Sequence, residues 1–402
     1  MCPPVNIFVP YILKEEVIMK RIDKELLRKN VIGNLERDLE KTIISGASVI
    51  VAQHGEILLD ERIGYKNPRT KELLPRNTIF RLASMTKPVT AVAALMGVEK
   101  GWFSLDDKIT DYYPEIGEMY VGRIENDTVV PDHKPENELL LYQFLSHNSG
   151  LMGESPIYYK EILDMPYEAF KDNKTAVDYC LKNTRLTYEP KVEQGYCGYF
   201  AFDMIALLIE KNSGMKYADF VKENILDPLG IKDITYHPTE EQWSRIITMT
   251  DKMAARDYAI VDMGKHTFEN FPLEYTCAGA GLVGSIEDYF IFAEMLRRGG
   301  EYNGVRILKS ETLELMKKVY VPEEVMGDKY TFCWGLGVRV STRDEYLPNG
   351  SFGWSGAYGT HFWIDPENDI TAIYMKNSRW HDAGGCGQTG LQFEKAVIES
   401  LV

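Results

Sequence analysis

Cysteine and histidine are scarce and scattered in this sequence. Its six cysteines (Cys2, Cys180, Cys197, Cys277, Cys333 and Cys386) form no Cys-x-x-Cys pair and no His–Cys cluster. That dispersion argues against a zinc site and a disulfide framework, and fits free thiols in a reducing compartment. Positive charge is outnumbered, 45 Lys and Arg against 60 Asp and Glu, and never gathers in a block. The net charge of -15 therefore speaks against nucleic acid or an anionic membrane surface as a partner. No run approaches the roughly 20 apolar residues of a membrane span. The opening MCPPVNIFVPYILKEEVIMKRIDK has a short apolar run with no basic segment before it and no Ala-x-Ala-like site after it, which makes it a poor signal peptide. Residues 1–19 are expected to be an N-terminal extension, with Met19 as an alternative start, and the protein is expected in the cytoplasm. Oligomeric state is left open.

What the chain does have is core-forming material. Its 402 residues are 45% hydrophobic, enough to bury a large interior and to exclude disorder. Residues 22–44 place Leu26, Leu27, Val31, Leu35, Leu39 and Ile43 at helical period. ASVIVAQHG and EILLDERIG then read as a β-hairpin turning at His54-Gly55. From Lys87 to about residue 273 the pattern is mostly helical. TAVAALMGVEKG stops at Gly101, LLLYQFLSHNSG at Gly150, FDMIALLIEKNSG at Gly214, and KYADFVKENILDPLG at Pro228 and Gly230. The polar stretch Arg123 to Glu138 reads as an irregular connection. Strand signals return in FCWGLGVRV and in THFWIDPENDITAIYM, whose hairpin is marked by Asp365-Pro366-Glu367-Asn368-Asp369. GAGLVGSIEDYFIFAEMLRRGG suggests a strand and a helix, and LQFEKAVIESLV a closing helix.

The expected architecture is α+β. An antiparallel sheet flanked by helices takes two strands from the beginning and about three from the end, around an inserted, mostly helical domain. The expected boundaries are 20–83 plus 275–402 for the sheet domain and 84–274 for the insertion. No internal repeat or low-complexity segment is present.

One local pattern carries chemistry. RLASMTKPVT sets Ser84 and Lys87 three residues apart at a loop-to-helix transition, so both share one helix face. Exposed N–H groups and the positive end of the helix dipole raise the potential there. Such a potential, together with burial, favours the neutral form of an amine that is to accept a proton. Serine is a weak nucleophile without a base beside it. The same spacing recurs at Ser213–Lys216, but Ser213 ends a helix and Gly214 follows, so that pair reads as a structural link. On spacing alone, Ser84 as an N-cap with a solvated lysine and Ser84 as nucleophile stand level.

Sequence context separates them. NTIFRLASMTKPVTAVAALMGVEKGWFSLDDKITDYYPEI resembles the first motif and flanks of the serine β-lactamase and penicillin-binding-protein superfamily, in particular its class C β-lactamase-like esterases. LLLYQFLSHNSGL resembles the His-x-Ser-Gly segment that follows, and TCAGAGLVGSIEDYFIFAEMLRRGG the later glycine-rich turn and helix. The similarity runs in family order from about Ser45 to Val397. It implies a serine hydrolase working through an acyl-enzyme, with no metal and no cofactor, on a small ester or amide.

The family's second motif, Tyr-Ser/Ala-Asn, falls on EQGYCGYFAFDMIALLIEKNSG. The resemblance gives Tyr196 the role of proton acceptor or relay beside Ser84 and Lys87, with Tyr199 as the competing tyrosine and a packed loop residue as the plain alternative. Gly198 stands where the family carries an asparagine that holds an acylamide group, which glycine cannot do. The third motif falls on Trp354-Ser355-Gly356, where other members have Lys-Thr-Gly; a glycine-rich bend at a strand start is the plainer reading. By the resemblance, the backbone N–H groups of Ser84 and Ala357 form the oxyanion hole. Gly356 lets substrate lie along the strand edge, and Trp354 offers an apolar wall in place of a cation that would attract a carboxylate. Ser355, Tyr199 and His361 are expected near the substrate, although His361 also reads as a packed strand residue.

His147 reads as a structural hydrogen-bonding histidine, Trp363 and Trp380 as core or rim, Asp106 and Asp107 as a turn or cap, and Cys197 as a small buried thiol. Both departures, Gly198 and Trp354, remove groups suited to β-lactam or D-Ala-D-Ala recognition. The first expectation is therefore an esterase on small carboxylic esters. A β-lactamase or D-amino-acid amidase comes second, then an acyltransferase with the same three residues, then a catalytically silent binding module.

Overall fold

The first strand, β1 (Gly46–Gln53), is buried at every position, as a continuous apolar run covered on both faces should be. His54 and Gly55 reverse the chain at φ +54° and +76°, a turn whose twist suits a two-residue hairpin. The strand β2 (Glu56–Asn67) then returns antiparallel. These elements belong to a computed structural model that describes residues 20–126, 128–151, 166–252, 258–265, 274–328, 330–344, 346–378 and 387–402. A two-residue strand β3 (Glu72–Leu73) follows. The last part of the chain adds β4 (Phe332–Trp334), β5 (Arg339–Ser341), β6 (Phe352–Ser355), β7 (His361–Asp365) and β8 (Ile370–Met375). All eight form one antiparallel sheet in the order β4-β5-β6-β7-β8-β1-β2-β3, so first and last segments meet where β1 pairs with β8, Ile50 opposite Ile373. The C-terminal contribution is five strands where about three were expected. FCWGLGVRV holds two of them, turned at Gly337 with φ +67°.

Five helices position the rest: α1 (Lys24–Glu40), α2 (Lys87–Glu99), α3 (Phe200–Ser213), α4 (Ile286–Arg297) and α5 (Gln388–Ile398). On one sheet face α1 and α5 bury Leu27, Val31, Leu35 and Phe393 against Trp363 and Tyr374. On the other, α4 packs its Tyr289 edge-on to Phe362, ring centres 5.1 Å apart. Helix α2 is buried nearly all round, which suits an apolar segment at the centre of a fold, and it packs against α3.

The inserted segment is less purely helical than its sequence reads. Val121–Glu125 and Thr128–His133 form a β-hairpin inside the stretch expected to be irregular. Only Val121 and Val129 among its apolar residues are buried, so this exposed ribbon lacks the alternation that marks a strand packed on a core. A second short pair, Thr250–Lys252 with Tyr258–Ile260, also lies there. The helix in LLLYQFLSHNSG covers only Leu141–Leu145. Tyr217–Val221 passes directly into a wider π-helical turn over Lys222–Leu226. Trp380 lies outside the described residues. Among those described, no helix is long and apolar enough to cross a membrane.

Candidate active site

The site starts from a strained turn. A short strand, Ile79–Arg81, pairs antiparallel with Val283–Ser285. Asn377 accepts from the Arg81 N–H at 2.9 Å and donates to its carbonyl at 3.2 Å. Ala83 then takes φ +46°, a left-handed value costly for a residue with a Cβ and typical of functional turns. One 3-10 turn over Ala83–Thr86 leads into α2, which begins at Lys87 and carries Pro88 where its missing N–H costs nothing.

That turn aims Lys87 at Ser84. The Nζ of Lys87, whose side chain is fully buried, lies 3.2 Å from Ser84 Oγ, 2.8 Å from the Gly198 carbonyl and 2.9 Å from the Gly279 carbonyl. A neutral amine can give its two hydrogens to the carbonyls and turn its lone pair to Ser84; an ammonium can donate to all three oxygens. Tyr196 Oη donates to Ser84 Oγ at 2.7 Å, and Trp354 Nε1 donates to Tyr196 Oη at 3.2 Å. The aromatic faces of Tyr196 and Phe202 stand 4.8 and 5.1 Å from Nζ. The structure thus brings Ser84, Lys87, Tyr196 and Trp354 into one hydrogen-bonded array. Tyr199 immediately precedes α3 and is buried in the main core.

Gly198 meets the array through its backbone, since its carbonyl helps hold Lys87. A Cβ there would meet no atom within 4 Å. Gly356 is needed for contact: a Cβ would collide with the Leu82 carbonyl, two residues before the nucleophile. The end of β6 can therefore press directly on the Ser84 turn, and Ala357 follows it, half-buried.

Ser355 and His361, expected near the substrate, sit elsewhere. Successive side chains of a strand point to opposite faces, so Ser355 points away from the face on which Trp354 meets Tyr196. Ser355 Oγ lies 2.8 Å from Nδ1 of His361, its cross-strand partner. His361 Nε2 stands 2.8 Å from Glu394 of α5, and Glu394 pairs with Arg339. All four are buried, and burial lowers His361 from its ordinary value.

His147 brackets Tyr196, as a hydrogen-bonding histidine should. Its Nδ1 accepts from the Cys197 N–H at 3.2 Å and its carbonyl from the Gly195 N–H at 2.9 Å. Its ring lies 4.4 Å from those of Tyr196 and Trp334. Burial and the nearby Lys87 hold its imidazole well below the ordinary histidine value, so it stays neutral. The Cys197 thiol is pushed up by burial, which leaves it an inert thiol. Asp107 caps its own turn, accepting from the Ser104 N–H at 2.8 Å.

Asp203 was not singled out from the sequence, though a carboxylate inside FAFDMIALLI is a visible signal. It is 1% exposed and accepts from the Ala278 N–H at 2.8 Å and from Tyr275 Oη. Burial raises its carboxyl to about 7. Among the described residues no group of three or more His, Cys, Asp or Glu side chains is arranged to hold a metal ion.

Comparison with known proteins identifies the family and the fold. The β-lactamase family model matches residues 31–392, and the chain belongs to that family. It is 28% identical to penicillin-binding protein 4* of Bacillus subtilis over 94% of this chain and 76% of that protein. It is 23% identical to esterase EstB of Burkholderia gladioli over 90% of this chain and 94% of that one. Among solved structures, EstCE1, described as a hydrolase with promiscuous acyltransferase activity, superposes with a TM-score of 0.76 over 93% of this chain and 99% of its own, at 23% identity.

Proposed function

We propose that this chain is a serine esterase acting on small carboxylic esters through an acyl-enzyme on Ser84. The observation that carries the reading is the convergence of Lys87 Nζ and Tyr196 Oη on Ser84 Oγ, at 3.2 and 2.7 Å. Ser84 Oγ attacks the ester carbonyl as its proton passes to Lys87, whose other two polar contacts are carbonyl oxygens. The backbone N–H groups of Ser84 and Ala357 hold the oxyanion; losing one such donor costs about 10²–10³ in rate. As the intermediate collapses, the carbon–oxygen bond to the alcohol breaks and Tyr196 protonates the departing oxygen. Tyr196 is reprotonated from Lys87, and water then releases the acid by the reverse sequence.

Two departures favour an ester over a β-lactam or a D-amino-acid amide. Trp354 offers an indole where a lysine would pair with a carboxylate, and Gly198 has no amide for an acylamino group. The similarity to a penicillin-binding protein keeps the amidase reading as second. EstCE1 keeps an acyl acceptor other than water in view. Cys197, Cys277 and Cys333 are buried free thiols, which supports the cytoplasmic placement.

Turnover of p-nitrophenyl acyl esters and of nitrocefin, compared for wild type and Ser84→Ala, tests the reading. Ester turnover that needs Ser84 and exceeds nitrocefin turnover is expected. Dominant nitrocefin turnover promotes the second reading, and turnover of neither substrate removes the first.

A further inference from the structure

We propose that Asp203 is a positioning residue for Lys87: it fixes the backbone segment whose carbonyl holds the amine, and sets a buried ionisable carboxyl behind it. The inference rests on the reading of Lys87 as the base for Ser84.

Two carbonyls cradle the amine, one from the Tyr196 loop (Gly198) and one from the segment 275–279 (Gly279). The two segments are in contact, because a Cβ on Gly279 would collide with the Gly198 carbonyl oxygen. The second segment is pinned at several points. Asp203 takes the Ala278 N–H and the Tyr275 hydroxyl. The Ala278 carbonyl accepts from Thr90 Oγ1 at 2.6 Å, and Asn173 holds both polar backbone atoms of Thr276. Of these pins only Asp203 is ionisable near neutral pH and feels the charge of Lys87.

Among the described residues, the groups that face Asp203 come from several elements. Tyr275 and Cys277 lie on the segment 275–279, Cys180 on the helix Asn173–Asn183, Cys197 on the Tyr196 loop, Tyr217 on the helix Tyr217–Val221 and Tyr113 on the connection after α2. Burial pushes all six upward, so they stay neutral where Asp203 loses its proton. A carboxylate formed there stabilises the positive charge Lys87 gains as it takes the Ser84 proton. Activity should therefore rise through neutral pH along a limb that belongs to Asp203.

The test is the rate of fluorophosphonate labelling, and kcat/KM for a p-nitrophenyl ester, from pH 5 to 9 in wild type, Asp203→Asn and Tyr275→Phe. Wild type should show a rising limb near pH 7. Asp203→Asn should lose that limb, with kcat/KM at pH 8 down by about tenfold, a fraction of what general-base catalysis supplies, and KM little changed. Tyr275→Phe, which removes one donor to the carboxylate, should move the limb to higher pH and carries the test alone if Asp203→Asn does not fold. A slower variant with an unmoved limb overturns the proposal, because a purely structural residue would behave that way. No labelling of wild type at any pH removes the nucleophile reading first, and this inference with it.

Discussion

The two faces of β6 carry two polar clusters that look alike on paper. On one face Ser84, Lys87, Tyr196 and Trp354 share hydrogen bonds; on the other Ser355, His361 and Glu394 stand in the order of a serine, a histidine and a carboxylate. Spacing alone would rank the second cluster as the better nucleophile. Its surroundings say otherwise. Ser355 is 2% exposed under α5, on a regular strand with no left-handed residue before it, and Glu394 is committed to Arg339. Ser84 sits on a strained turn after Ala83, with the end of β6 pressed against that turn at Leu82. A nucleophile and a base are insufficient without room for a carbonyl and donors for its oxyanion.

Five substitutions would break or sharpen that contrast. Ser84→Ala should abolish ester turnover, a loss of about 10⁴-fold or more, while Ser355→Ala should keep activity within about threefold and lose about 1 kcal/mol of stability; comparable losses from both would erase the distinction. Glu394→Gln removes the buried carboxylate that pairs with Arg339, and urea denaturation should show roughly 3 kcal/mol less stability with little change in kcat.

Asp203 makes a pH-dependent prediction. Its raised value, about 7, means that the native chain keeps a proton the unfolded chain releases near the usual carboxylate value of about 4. Its contribution to stability is complete below that unfolded value and is lost as pH climbs through the native one. Asp203→Asn, which does not titrate, should therefore gain Tm relative to wild type between pH 5 and pH 8, and a constant difference would count against the buried acid. The smallest effect is expected from Gly198→Asn, whose side chain has open space. It should raise nitrocefin turnover relative to ester turnover by about 2–10-fold, the worth of one hydrogen bond, and an unchanged ratio would mean that this position does not select the substrate.

Much of this was legible in the chain. The opening hairpin, the buried helix after Ser84 and the helix ending at Gly214 followed from apolar period and turn residues. Ser213, read as part of a structural link, accepts from the Met215 N–H at 3.2 Å through its Oγ across Gly214, and Lys216 is exposed. Choosing Tyr196 over Tyr199 rested on family order, and Tyr196 is the tyrosine that reaches Ser84. Less was visible where the information is three-dimensional. Strand alternation turned Ser355 and His361 away from the site, a result no motif spacing reports. The carbonyls of Gly198 and Gly279 hold Lys87 through backbone, which leaves no side-chain signature. The 121–133 hairpin faces solvent and so lacks the apolar alternation that betrays a strand.

The most direct test of the central claim is the site of fluorophosphonate labelling, mapped by mass spectrometry on the intact chain and its peptides. One adduct per chain on Ser84, strongly slowed in Lys87→Ala, is the expected result. An adduct on Ser355 or Ser213, or none at all, would contradict the assignment of Ser84 as the nucleophile.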